Sequence, residues 1–248
     1  MKCIGQLDLE KVRLCVEYGA DVNEKHYVHY ALHYAVRGGC LLRGRQYHTL
    51  ISSAQKSQLE IVRILLEAGA LVDQRTCPNE RKADTPLMLA VTENVFTSLE
   101  VVKILLKYDA DVCAVNNSGL TASAHGRIFI DRTYPSQGMR TSTVWNDPYT
   151  RPDVSPPAAH YWRLSGLVED KLELLADVRA AGSWKRFANA PRRELLVLRK
   201  LVERGRARPP RSALARLFPS GRRHRTDLPD VVFWKILGYW RSSRDACE

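Results

Sequence analysis

Three stretches of this chain align with one another, which restricts the fold to one built from repeating units. Residues 9–23, 59–73 and 99–113 each open on Leu-Glu, carry apolar residues at helical spacing and close on Ala-x-Val. In the third copy the apolar positions are Leu99, Val101, Val102, Ile104, Leu105 and Leu106. That spacing predicts an amphipathic helix ended by a turn in each copy. Gly19 and Gly69 suit the left-handed residue that closes a helix. Asp109 takes that place in the third copy and enters the left-handed region less readily, so the third terminus is expected to be weaker.

A second pattern precedes two of these helices. Thr85-Pro86-Leu87-Met88-Leu89-Ala90 reads as a helix start, with Thr85 capping free backbone N–H groups and Pro86 where its missing N–H does no harm. Tyr30-Ala31-Leu32-His33-Tyr34-Ala35 fills the same slot without the threonine or the proline, and Gly119-Leu120-Thr121-Ala122-Ser123-Ala124 begins a further copy. Through Leu32-His33-Tyr34-Ala35, the Thr85 to Ala90 run and Gly19-Ala20-Asp21-Val22-Asn23, the sequence resembles the ankyrin repeat family over residues 3–126. The resemblance implies an all-α solenoid of helix pairs with β-turns. It also implies a protein partner bound on the concave face made by the turns and first helices. The contact residues it points to are Lys25, His26, Tyr27, Tyr30, Arg75, Asn79, Arg81, Lys82, Met88, Asn116 and Asn117.

The period is irregular. Gly19 and Gly69 are 50 residues apart, and Gly69 and Asp109 are 40 apart, against about 33 in a regular array. The surplus falls mainly at 38–49, with smaller additions at 74–83 and 94–98. Such insertions map to loops and often shape a binding face. The chain opens in mid-repeat, with a stub around Lys2 to Gln6. Either further sequence precedes it or that end of the stack is poorly capped.

Charge divides the chain. Of its net +11, residues 1–130 contribute almost nothing, with 15 Lys and Arg against 14 Asp and Glu, whereas residues 131–248 hold 23 against 13. The expected organisation is a repeat domain over 1–130, a linker over 131–160 and a basic helical region over 161–248. Pro135, Pro148, Pro152, Pro156 and Pro157 break any period in the linker, where Tyr134, Trp145 and Tyr149 either pack on the last repeat or stay disordered. Beyond it, Leu164, Leu167, Val168, Leu172, Leu175 and Val178 recur at helical spacing. A clearer helix is predicted from Pro191 to Gly205, and a last one after Leu228-Pro229-Asp230. Trp162, Trp184, Trp234 and Trp240 read as core anchors. The last repeat needs a cover. The first C-terminal helices are expected to dock there and leave 185–225 exposed, the alternative being two bodies on a tether.

The basic run at 185–225 has fourteen Lys and Arg against Glu194 and Glu203. Such a run attracts phosphates or acidic proteins. It has no zinc-finger spacing and no interleaved aromatics, so a partner-facing or solvated surface is the simpler reading, with nucleic acid as an alternative. Arg222-Arg223-His224-Arg225 fits a nuclear-targeting patch on an otherwise cytoplasmic protein. The tail from Leu228 to Trp240 is similar to the opening helix of an F-box, and a leucine-proline tail after ankyrin repeats also resembles ankyrin proteins with a SOCS box. Both resemblances imply a ubiquitin-ligase scaffold subunit as an alternative partner.

No catalytic constellation is expected. His29 and His33 are four apart, a metal-ligand spacing, but His33 holds the structural histidine position of the resembling family and reads as a packing residue. Neither a nucleophile elbow nor a phosphate loop occurs, so no cofactor, no metal and no enzymatic activity are expected. The six cysteines form no CxxC pair and read as reduced thiols. No apolar run approaches the roughly 18 residues of a membrane span, and the N-terminus has no signal-peptide core, so no membrane association is expected.

Overall fold

Short polar side chains fix where the helices begin. The Asp8 carboxylate accepts the Lys11 N–H at 3.2 Å, Thr85 Oγ1 accepts the Met88 N–H at 3.4 Å, and Thr121 Oγ1 accepts the Ala124 N–H at 3.3 Å. Each satisfies a donor that the first helical turn leaves open. Tyr30 cannot do this. Instead its own N–H donates to His33 Nδ1 at 3.3 Å, so the histidine side chain ties down the start of its helix.

The computed structural model describes residues 2–38, 47–76, 83–92, 98–133, 158–208, 218 and 230–239. These contain α1 (Lys2–Gly5), α2 (Leu9–Glu17), α3 (Ala31–Val36), α4 (Tyr47–Glu67), α5 (Pro86–Thr92), α6 (Leu99–Lys107), α7 (Ala122–Thr133), α8 (Ala158–Ala181), α9 (Trp184–Glu203) and α10 (Asp230–Tyr239). They fall into two units, Met1–Ala180 and Ala181–Glu248.

In the first unit α1, α3, α5 and α7 stand side by side as an inner row, and α2, α4 and α6 as an outer row behind them. The core runs between the rows: Leu32, Val36, Ile61, Val62, Leu87, Leu89, Val101 and Leu105 are all buried. Burial falls off at the first outer helix. Leu14 is 50% exposed where its counterpart Ile104 is 2% exposed.

Side chains stitch each repeat to the next. Asn23 donates from Nδ2 to the Gly69 carbonyl at 2.9 Å and accepts the Leu71 N–H at 2.9 Å. Asp73, in the same slot one repeat later, accepts the Asp111 N–H at 3.0 Å. The buried amide of Gln58 donates to the carbonyls of Ala35 and Val36 at 3.0 and 2.7 Å, which closes the C-terminal end of α3. On α5 that task falls to α8. Lys171, 1% exposed, donates from Nζ to the Ala90 carbonyl at 3.0 Å. One residue on, Leu172 lies so close to Gly126 of α7 that a Cβ there would meet Leu172 Cδ2 at 2.8 Å and Val91 Cγ1 at 2.6 Å. The first helix after the expected linker therefore packs on the last repeats. Tyr134, Trp145 and Tyr149 lie outside the described residues.

The expected solenoid of helix pairs with β-turns requires correction. The described residues are all-α, with no β-strand among them, and those that join successive helix pairs form irregular loops rather than β elements. The sole β contact among them is an isolated bridge between His26 and His29. The loops differ in length, so their edges cannot run in register as a ladder would require. Asx side chains take up their polar groups instead: Asp21 accepts the Asn23 N–H and Asp111 the Cys113 N–H, both at 2.8 Å.

In the second unit α9 begins seven residues before the Pro191 start read from the sequence. Ser183 Oγ caps it by accepting the Arg186 N–H at 3.2 Å, and Pro191 sits in its interior. The cap and the anchors Trp184 and Phe187, whose rings lie 5.6 Å apart, outweigh the hydrogen bond the proline forfeits. Phe187, Val202, Phe218 and Phe233 are buried, and the Arg199 guanidinium stacks on the Phe233 ring at 4.1 Å from its centre. The side chains of Trp162, Trp234 and Trp240 lie outside the described residues.

Candidate partner-binding face

Three loops project between the helix pairs, and each is pinched by a backbone bond at an equivalent position, joined in the first loop by a return bond from the His29 N–H to the His26 carbonyl at 3.2 Å. His26 N–H donates to the His29 carbonyl at 2.9 Å, Thr76 N–H to the Asp84 carbonyl at 3.1 Å, and Asn116 N–H to the Leu120 carbonyl at 3.0 Å. Among the described residues each pinched loop has one left-handed position: Tyr27 (φ 55), Ala83 (φ 49) and Gly119 (φ 71). Only the third loop uses glycine, for which that backbone is free of strain. The first loop is the tightest, with only Tyr27 and Val28 between its paired residues. It forces a bulky aromatic into a conformation such residues rarely adopt. Tyr27 is also 82% exposed, so the strained residue sits at the loop tip.

Behind that tip lies a run of rings. His26 packs edge-on against Tyr27 at 4.6 Å and against Tyr34 at 6.0 Å, His29 against Tyr34 at 5.4 Å, and His29 is tilted over His33 at 5.9 Å. Arg37 donates to His29 Nε2 at 2.7 Å. His33 spends both ring nitrogens internally: Nδ1 accepts from Tyr30, and Nε2 donates to the Asp84 carbonyl of the next repeat at 3.3 Å. Burial, with the neighbouring His29 adding to it, lowers the His33 pKa from 6.5 to about 4, so the ring is a neutral strut at neutral pH. Asp84 extends the seam, its carboxylate accepting Asn116 Nδ2 at 2.8 Å with His125 Nδ1 at 3.9 Å.

The residues picked from the sequence divide by depth. Lys25, His26, Tyr27, Arg75 and Asn117 are exposed and Tyr30 is half-buried. Leu71, Val72, Asp73, Gln74 and Arg75 line a shallow depression on the second loop. Met88 is 0% exposed and Asn116 4%, so both serve the interior. Asn116 also accepts the N–H groups of Ser118 and Leu120, both at 3.0 Å. Asn79, Arg81 and Lys82 lie outside the described residues. His29, Tyr34 and Arg37 lie beside the contacts read from the sequence and are not among them. The signal was present, since six of the nine residues from 26 to 34 are His or Tyr. Among the described residues no group of three or more His, Cys, Asp or Glu is placed to hold a metal ion. Nor is any of their helices long and apolar enough to cross a membrane.

The stacked helix pairs, the cross-repeat stitches and the pinched loops agree with a sequence match: residues 41–116 fit the family profile described as ankyrin repeats (3 copies). This segment is an array of ankyrin repeats. No curated protein matches the chain. The ankyrin fold generally mediates protein–protein interaction and is typically non-catalytic. The structure extends the pattern on both sides of the matched segment, with the Asn23 stitch before it and the Thr121 cap of α7 after it. The tail from Leu228 to Trp240 lies outside the match, and Phe233 within it is buried in the second unit.

Proposed function

We propose that this chain is a non-catalytic scaffold that holds a protein partner on the face built from its ankyrin loops and inner helices. The observation that carries the reading is Tyr27, held left-handed and 82% exposed at the tip of the tightest loop. A strained, exposed aromatic gains little for the fold, whereas tyrosine is a favoured interface anchor. Lys25 and His26 precede it on the first loop, and Arg75 stands exposed on the second. Asn79, Arg81, Lys82 and Asn117 complete the proposed contact set.

Affinity capture with the full chain tests this. Wild type and a Tyr27→Ala, Arg75→Glu double variant are compared for the proteins they retain. Loss of the retained partner, with an unfolding midpoint no lower than wild type, is the expected result. Retention of the same partner at the same strength would place the binding face elsewhere.

A further inference from the structure

The buried side of helix α9 carries Phe187, Ala188, Arg199 and Val202, with Arg199 stacked on Phe233 of the same unit. On the opposite side Arg186, Arg193 and Lys200 follow one another at seven-residue intervals, and Arg204, its C-cap, continues the row four residues on. Residues seven apart on a helix drift by only about 20°, so these cations form one line, stepped by about 10.5 Å. All four are exposed. Val197 falls in the same line, four after Arg193 and three before Lys200, and is 58% exposed. The two carboxylates of the helix, Glu194 and Glu203, point to either side of the line. Among the described residues none of the four cations has a carboxylate within ion-pair distance.

A merely solvated helix face is better served by alternating signs, since opposite charges four apart stabilise a helix and like charges destabilise it. Here the glutamates are at hand and stand outside the row. The spacing also selects the kind of anion. A heptad step is the step at which one helix meets another lying along it, the geometry of charged flanks in helix pairs. The apolar Val197 within the row calls for an apolar neighbour, which a phosphate backbone does not supply.

We propose that the outer row of α9 docks an acidic amphipathic helix of a protein partner, with carboxylates against Arg186, Arg193, Lys200 and Arg204 and an aliphatic side chain against Val197. The row belongs to the second unit and does not depend on the ankyrin-face reading.

The test uses the full chain and three probes: a synthetic helix of about three heptads with glutamates in register and one leucine, a scrambled peptide of identical composition, and duplex DNA. The registered helix is expected to bind at physiological salt, and the scrambled peptide at least about tenfold more weakly. Arg193→Glu with Lys200→Glu should reduce binding of the registered helix by a similar factor. Arg193→Gln with Lys200→Gln, which keeps two good helix formers, should reduce it in the same direction at an unchanged unfolding midpoint. Equal binding of the scrambled peptide, tighter binding of DNA, undiminished binding by the glutamine pair, or no binding of the registered helix would each overturn the proposal.

Discussion

Lys171 Nζ donates to the Ala90 carbonyl at 3.0 Å, the same service that Gln58 gives the carbonyl of Ala35, which occupies the matching position one repeat earlier. An amide brings no charge with it, whereas an ammonium does. Burial, the sole cause, lowers the lysine from 10.5 to about 8. The folded chain therefore binds fewer protons than the unfolded chain between those two values. Stability must rise with pH across that window, while below about 8 the residue imposes a constant penalty. Its full size is at most roughly 3 kcal/mol. Lys171→Met removes this slope. Stability measured against pH for both proteins should show wild type gaining on the variant from about 8 to 10.5, and parallel curves would refute the assignment.

Gly126 is set by contact on two sides. An added Cβ would lie 2.6 Å from Val91 Cγ1 and 2.8 Å from Leu172 Cδ2, closer than real carbons approach. Gly126→Ala ordinarily improves a helix, but here overpacking should dominate, with a net loss of about 1–3 kcal/mol in denaturant unfolding. A more stable variant would mean that α8 does not pack there.

Asp73 does half the work of Asn23. It accepts the Asp111 N–H but has no donor for the carbonyl of Asp109, the counterpart of Gly69. Its pKa is raised, first by burial and then by the charge of Asp111, against the hydrogen bond from the Asp111 N–H. The folded chain thus holds this proton to higher pH than the unfolded chain, so the charged carboxylate is a liability at neutral pH. That liability fades as pH falls through the raised pKa towards 3.8. Asp73→Asn should stabilise by about 1 kcal/mol at neutral pH, with the advantage shrinking in acid. A pH-independent difference, or a loss, would count against it.

The second helices of the repeats were readable because burial on one side imposes a period, and Leu99 to Leu106 could satisfy no other. The awkward terminus at Asp109 was readable too, and its φ is 63. The start of α9 was not. A proline looked like a first-turn residue, but Ser183 and Trp184 carry the helix seven residues further back. Met88 reads as a contact residue in the sequence, although it shares the slot of His33, which is itself 0% exposed. The strain at Tyr27 could not have been seen in the letters. It follows from which carbonyl His26 pairs with, a matter of one residue of loop length. Similarly, nothing in the pattern of α8 announces that Lys171 will replace the glutamine of an earlier repeat.

Tyr27 offers the sharpest separation of function from fold. A bulky residue in the left-handed region is disfavoured by about 1–2 kcal/mol, and Tyr27 recovers little of this through burial, being 82% exposed. Its ring contact with His26 at 4.6 Å is at the surface. Glycine has no such conformational penalty, although it loses more backbone entropy on folding. Tyr27→Gly should therefore raise the unfolding midpoint slightly or leave it unchanged. If the face binds as proposed, the same substitution removes a tyrosine anchor from the interface and weakens capture of the partner by about tenfold or more. The two effects run in opposite directions, which a purely structural residue cannot produce. A variant that loses stability and binding together would show that the ring supports the loop. One that gains stability and keeps its partner would show that the loop tip takes no part in binding.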